Sequence, residues 1–252
     1  MSFDLTGNVA LVTGCRRGTG LAMAEALAAA GANIVGTSLT LDSGDSEARR
    51  RVEAHGREFT AYRADLASDT GAADLATAVL ADGIRVDILV NNAGTIARAP
   101  ALAHSDAQWE SVLRTNLTAQ FVLARELGRP MVERGRGKII FTASMLSFQG
   151  GINVVSYTAA KSGLAGLVRA LANEWAPHGV NVNAIAPGYL ATDNTQPLRD
   201  DPDRSKAILE RIPAGRWGEP ADVAGATVFL ASAASDYVHG IVLPVDGGWL
   251  GR

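Results

Sequence analysis

VALVTGCRRGTGLAMAEALAAAG, residues 9–31, is the stretch whose reading decides the fold. Val9 to Thr13 form an apolar run of strand length, Gly14, Gly18 and Gly20 make a turn, and Leu21 to Ala30 form an alanine-rich helical segment that Gly31 closes at a C′ position. Strand, glycine turn and helix in this order open a parallel sheet with crossover helices. Glycines in the turn let a diphosphate approach the backbone, and the helix N-terminus offers free N–H groups and partial positive charge. The spacing is Gly-x-x-x-Gly-x-Gly rather than Gly-x-Gly-x-x-Gly, and a glycine cluster by itself also reads as a plain turn. Its place between the first strand and a helix favours a nucleotide.

Further apolar runs follow at Asn33 to Ser38, Phe59 to Arg63, Val86 to Val90, Lys138 to Ser144, Val180 to Ala186 and Ile241 to Val245. Seven strand candidates alternate with six helical segments, which predicts an α/β fold with one Rossmann-type doubly wound parallel sheet and ligands at the carboxyl ends of the strands. No repeat or linker divides the chain, so residues 1–252 read as one dinucleotide-binding and catalytic domain. Between Tyr189 and Pro213 the periodicity breaks down, and a long insertion there suggests a substrate lid near 189–213. Asp65-Leu66 after the third strand could flank an adenine, or Asp65 could cap a helix beginning near Ser68. Asn92, Ala93 and Gly94 after the fourth strand leave room for a cofactor, or form only a turn. A capping box at Ser105 and Gln108 starts a helix running towards Met131, in which Asn116 is either a satisfied helix-face amide or a site residue that interrupts the helix and holds a water.

Chemistry concentrates in KIIFTASMLSFQGGINVVSYTAAKSG, residues 138–163. Tyr157 and Lys161 lie one helical turn apart, and an ammonium beside a phenol favours the phenolate and moves its pKa towards the working range. Ser144 at a strand end could donate to a substrate oxygen, so that serine and tyrosine together clamp a carbonyl or alcohol. Taken alone, Tyr-x-x-x-Lys is also a common accident of core and surface.

The totals exclude other classes. With 23 Lys+Arg against 26 Asp+Glu and a formal charge of -3, nothing suits nucleic acid or an anionic membrane. The single cysteine, Cys15, allows no intrachain disulfide, and the N-terminus lacks the basic and apolar regions of a leader, so the expectation is a soluble, cytoplasmic protein. Four scattered histidines, His55, His104, His178 and His239, have no metal-ligand spacing, and no metal is expected.

Thr13-Gly14-x-x-x-Gly18-x-Gly20, Asn91-Asn92-Ala93-Gly94, Asn116, Ser144, Tyr157-x-x-x-Lys161 and Pro187-Gly188-x-x-x-Thr192, in this order, resemble the short-chain dehydrogenases/reductases over nearly the whole chain. The resemblance implies that Tyr157 is the catalytic acid/base and that Ser144 orients the substrate oxygen. Lys161 would hold the nicotinamide ribose and lower the tyrosine pKa, Asn116 would anchor a relay water, and Pro187, Gly188 and Thr192 would line the nicotinamide pocket. The segments ASMLSFQGG, SYTAAKSG, NEWA, NAIAPGYLAT with NTQPLR, RIPAGRWG, SDYV and VDGGWL are more narrowly similar to the 2-deoxy-D-gluconate 3-dehydrogenases, also described as 2-dehydro-3-deoxy-D-gluconate 5-dehydrogenases. That likeness implies hydride exchange with a deoxy or keto-deoxy sugar acid.

NAD is the coenzyme the resemblance implies, and NADP is open too. The second strand ends in Ser38 instead of an acid, and Arg16 and Arg17 stand in the glycine turn. A sugar acid needs a cationic or amide-rich subsite. Arg98 is the first candidate, read otherwise as a surface arginine, with Gln149 and Asn153 in the catalytic loop and Gln196 and Arg199 in the lid as alternatives. The resemblance also implies a homotetramer, with the small residues from Ala159 to Ala170 and Trp249-Leu250 buried between subunits. The competing enzyme is a 3-oxoacyl thioester reductase, which the mixed charge of the lid disfavours. The competing class is an inactive nucleotide-binding regulatory protein, which an intact Ser144, Tyr157 and Lys161 disfavour.

Overall fold

Seven short apolar runs pair into one fully parallel sheet in a computed structural model that describes residues 3–41 and 44–252. The strands are β1 (Val9–Thr13), β2 (Asn33–Ser38), β3 (Phe59–Arg63), β4 (Ile88–Asn91), β5 (Gly137–Thr142), β6 (Val180–Pro187) and β7 (Val242–Val245), in spatial order β3-β2-β1-β4-β5-β6-β7. The helices are α1 (Gly18–Ala29), α2 (Glu47–Glu53), α3 (Gly71–Ala81), α4 (Asp106–Leu113), α5 (Ala119–Glu133), α6 (Val155–Trp175), α7 (Gln196–Arg199), α8 (Pro202–Arg211) and α9 (Ala224–Ala231).

The central strands read as continuous apolar runs because both faces are covered. On β1, Leu11 packs into a layer with Leu75, Leu123 and Leu164, while Ala10 and Val12 pack with Leu27, Ile34 and Leu230 on the other side. The order reverses between β1 and β4, so the crossovers leave to opposite faces and open a crevice at the carboxyl ends. Helix α1 ends as its glycine requires. Gly31 has φ +110°, its N–H donates to Ala28 O at 2.9 Å, and Ala32 N–H donates to Leu27 O at 3.0 Å, a Schellman closure.

The differences from expectation are local. The helix from Ser105 is not continuous: α4 and α5 are separated by a π-turn over Arg114–Thr118. The sheet ends at Thr142, two residues before Ser144. The segment 189–213 contains the turn Asp193–Thr195 and helices α7 and α8. Its periodicity is faint because α8 buries only Ile208, and Asp201 caps it by accepting from Asp203 N and Arg204 N. Trp249 is 4% exposed within a single chain, packed with Met145, Ile208 and Ile212. The expectation that it is buried between subunits is therefore corrected: α8 folds over it. Among the described residues no helix is long and apolar enough to cross a membrane.

Candidate active site

A cavity of about 860 Å³ runs along the carboxyl ends of the strands. Its floor at one end is the glycine turn. A Cβ on Gly14, at φ +68°, would lie 3.0 Å from Ala93 Cα, and one on Gly20 would lie 2.3 Å from Gly14 O. The turn is thus closed so tightly that only glycine fits there, and Gly18 holds a further positive φ of +56°. Thr13 fastens the two sides of the crevice: its hydroxyl accepts from Asn92 N–H and Ala93 N–H, both at 2.9 Å, while Asn92 Nδ2 donates to Thr13 O at 3.0 Å. Gly14 N–H donates to Thr37 O at 2.7 Å, which sets the turn against the end of β2.

Gly14, Arg17, Gly18, Gly20, Ser38, Asp65, Leu66, Asn92, Ala93 and Gly94 all line this cavity. Thr37 Oγ1 and Ser38 Oγ beside it are buried and have no partner in the protein. Asp65 does not cap a helix. Its carboxylate accepts from Ala67 N at 2.9 Å, and Ser68 Oγ instead accepts from Gly71 N at 3.0 Å, so α3 begins later than expected.

At the other end lie Ser144, Tyr157 and Lys161. Ser144, in extended backbone just past β5, accepts from Leu146 N at 3.1 Å through Oγ, and its hydroxyl pulls the Tyr157 phenol down. Lys161 is 2% exposed, and its Nζ donates to Thr142 O at 2.6 Å while lying 5.6 Å from the centre of the Tyr157 ring. Burial pulls this ammonium down to about 8. Burial also pushes the Tyr157 phenol up from its ordinary value, against the opposing pull of the Ser144 hydroxyl and the Arg98 guanidinium. The expected lowering of Tyr157 by Lys161 is therefore corrected: the ammonium turns to a backbone carbonyl, and desolvation dominates the phenol.

Asn116 takes the interrupting role. It is fully buried in the π-turn, accepting from Thr95 N at 2.8 Å and donating to Thr95 O at 2.7 Å, and so fixes the loop that follows Gly94. A Cβ on Gly94 would stand 3.0 Å from Asn116 Oδ1. Pro187 and Thr192 line the cavity, but Gly188 does not. A Cβ there would be 2.5 Å from Asp246 Cα, so this glycine lets the end of β6 approach the segment after β7.

None of the five substrate candidates, Arg98, Gln149, Asn153, Gln196 and Arg199, lines the cavity, and Arg199 Nη2 donates to Thr192 O at 3.3 Å. Arg98 stands at its edge, where Nη2 donates to Asn194 O at 2.7 Å and the charge acts on Tyr157. Gln149 is engaged elsewhere, its Oε1 accepting from Trp249 Nε1 at 3.3 Å and Arg211 Nη2 at 3.4 Å. Exposed Asn153, at φ +62°, gives its carbonyl to Ala99 N at 3.0 Å and thereby holds the Arg98 loop against the catalytic loop. Gln196 points along the lid to Asp200 and Arg199. Gln149 and Gln196 thus bond to side chains of the frame, and Asn153 joins it through its backbone. Thr95, Ser111, Thr115 and the turn Asp193–Thr195 line the cavity without having been singled out. The signal for Ser111 and Thr115 was present, as two polar residues four apart on the face of one helix.

Comparison with known proteins agrees with this geometry. The family model described as Enoyl-(Acyl carrier protein) reductase matches residues 14–250. The 2-dehydro-3-deoxy-D-gluconate 5-dehydrogenase of Pseudoalteromonas atlantica is 56% identical over 250 residues, 99% of this chain and 98% of the relative. A crystal structure of a provisionally named 2-deoxy-d-gluconate 3-dehydrogenase from Agrobacterium tumefaciens with bound NADP superposes with TM-score 0.93 at 51% identity, covering 99% of both chains. Another, of a provisionally named NAD(P)-dependent gluconate 5-dehydrogenase from Beutenbergia cavernae with NADP at low occupancy, gives TM-score 0.95 at 50% identity over 100% of both chains.

Proposed function

The chain belongs to the short-chain dehydrogenase/reductase family, and from that premise we propose that it is an NAD(P)-dependent oxidoreductase acting on the hydroxyl or ketone of a deoxy or keto-deoxy sugar acid, such as 2-dehydro-3-deoxy-D-gluconate. The observation that carries this reading is the single cavity joining the glycine cradle to the Ser144–Tyr157 pair. A cradle that a Cβ would fill, together with the unpartnered hydroxyls of Thr37 and Ser38, fits a dinucleotide at that end.

When bound, the nicotinamide supplies or accepts the hydride. Gly14, Gly18 and Gly20 would hold the diphosphate against the backbone, Asp65 and Leu66 would flank the adenine, and Pro187 and Thr192 would line the nicotinamide end. Ser144 Oγ orients the substrate oxygen. Tyr157, protonated at neutral pH as an ordinary phenol is, gives its proton to that oxygen in reduction and takes it back in oxidation. Lys161, its ammonium anchored on Thr142 O beside the Tyr157 ring, would hold the nicotinamide ribose. Asn116 positions the loop after Gly94, on which a relay water would depend. Arg98, at the mouth and acting electrostatically on Tyr157, receives the substrate carboxylate. The segment 189–213 serves as the substrate lid.

The enzyme works in the cytoplasm as a homotetramer. Supporting this, α6 leaves Gly163, Gly166 and Ala170 exposed on one side, and α4 and α5 present Trp109 and Phe121 at 38% and 36% exposure. Light scattering that gave a monomer at micromolar concentration would contradict the assembly. The activity is tested by following reduced-coenzyme absorbance with keto-deoxy and deoxy aldonates and with 3-oxoacyl thioesters, using both coenzymes. Turnover of the sugar acids supports the reading. Turnover of thioesters alone overturns the substrate class, and no turnover with any of them overturns the enzyme.

A further inference from the structure

Arg17 in the glycine turn and Asp193 in the lid line the same cavity and form an ion pair at 2.7 Å from Nη1 to Oδ2. The Gly14 N–H to Thr37 O bond places this turn beside the end of β2, where the strand closes on Ser38 rather than an acid and, among the described residues, its hydroxyl has no partner. In this fold the adenosine ribose lies at the end of the second strand. A coenzyme with a 2′-phosphate brings additional negative charge to that spot, and Arg17 is a cation within the same wall. Its guanidinium is already engaged by a carboxylate, and that carboxylate itself repels a phosphate.

We propose that Asp193 sets the coenzyme preference of this chain by holding the Arg17 guanidinium, restraining the affinity for 2′-phosphorylated coenzyme and leaving NAD nearly untouched. The inference rests on the reading of the cavity as an NAD(P) site. Both coenzymes share the diphosphate, so an effect exerted there would move both equally. An effect at the 2′ position moves only NADP. Because the pair is largely exposed, at 67% and 71% for its two side chains, the change is small. Removing the carboxylate should tighten NADP binding about two- to fivefold at low salt and by less as salt screens the site.

The test is calorimetric titration of NADP and NAD into the wild type, Asp193→Asn, Arg17→Ala and the double variant, with no substrate present. The expected result is a gain in NADP affinity of about two- to fivefold for Asp193→Asn, a change below about twofold for NAD, and no NADP-specific gain when Arg17 is already alanine. Equal shifts for both coenzymes, or a gain that persists without Arg17, would overturn the role of Asp193 while leaving the proposed function standing. A wild type that bound neither coenzyme would overturn both.

Discussion

Gly20→Ala places a methyl group where the glycine turn has no room for one. The new Cβ would lie 2.3 Å from Gly14 O, 2.4 Å from Asn92 Nδ2 and 2.8 Å from Gly14 C. Two of these atoms belong to the backbone, and the third belongs to the amide that ties β4 to β1 through Thr13, so no side-chain rotation relieves the clash. The turn and the first residues of α1 must separate. Overpacking of this kind costs about 1–3 kcal/mol. At about 2–4 °C per kcal/mol for a chain of this size, Tm should fall by roughly 4–8 °C for a cost near the middle of that range. Coenzyme affinity should fall as well, by about tenfold or more, since the displaced atoms form the cradle itself. Gly225→Ala serves as the control, because that glycine lies in α9 with nothing within 4 Å of its added Cβ. There the substitution should raise stability by up to about 1 kcal/mol. Calorimetry at one fixed protein concentration and coenzyme titration read both quantities. A Gly20→Ala protein with wild-type Tm and coenzyme affinity would refute the close-packed cradle.

Lys161→Met should reveal the cost of the buried ammonium through its pH dependence. The folded value near 8 lies below the ordinary 10.5, so the unfolded chain binds more protons between them, and the Lys161 contribution to stability rises with pH across that window. The Tm of the wild type relative to Lys161→Met should therefore improve from pH 8 to pH 10, and a constant difference would contradict the buried charge. Arg98→Ala should raise KM for an aldonate by about tenfold or more while changing KM for a neutral analogue little. Equal losses on both substrates would reassign Arg98 to the framework it shares with Asn194. Asn116→Ala removes two hydrogen bonds to the Thr95 backbone, at a cost of about 0.5–1.5 kcal/mol each, with a matching fall in Tm.

Much of this was legible in the sequence because it is written locally. The strands show as short apolar runs since both faces of the sheet are buried, and Gly31 marks a helix end because its left-handed conformation is a local requirement. The Ser144, Tyr157 and Lys161 spacing likewise comes from one strand end and one helix. The rest depends on partners distant in sequence. Asn116, within the π-turn, binds the backbone of Thr95, 21 residues away. Gln149 accepts from Trp249, 100 residues on. The Tyr157 pKa was misread because spacing reveals the neighbouring ammonium but not the burial that outweighs it. Trp249 looked like an interface residue until α8 was seen to cover it.

Turnover and coenzyme binding of Tyr157→Phe, measured side by side, test most directly whether the Ser144–Tyr157 end of the cavity performs the proton transfer. Removing one hydroxyl and keeping the ring should lower kcat by about 10²–10⁴-fold, with the coenzyme Kd unchanged within about twofold. A Tyr157→Phe enzyme that kept near wild-type kcat on the sugar acid would show that the proton moves elsewhere.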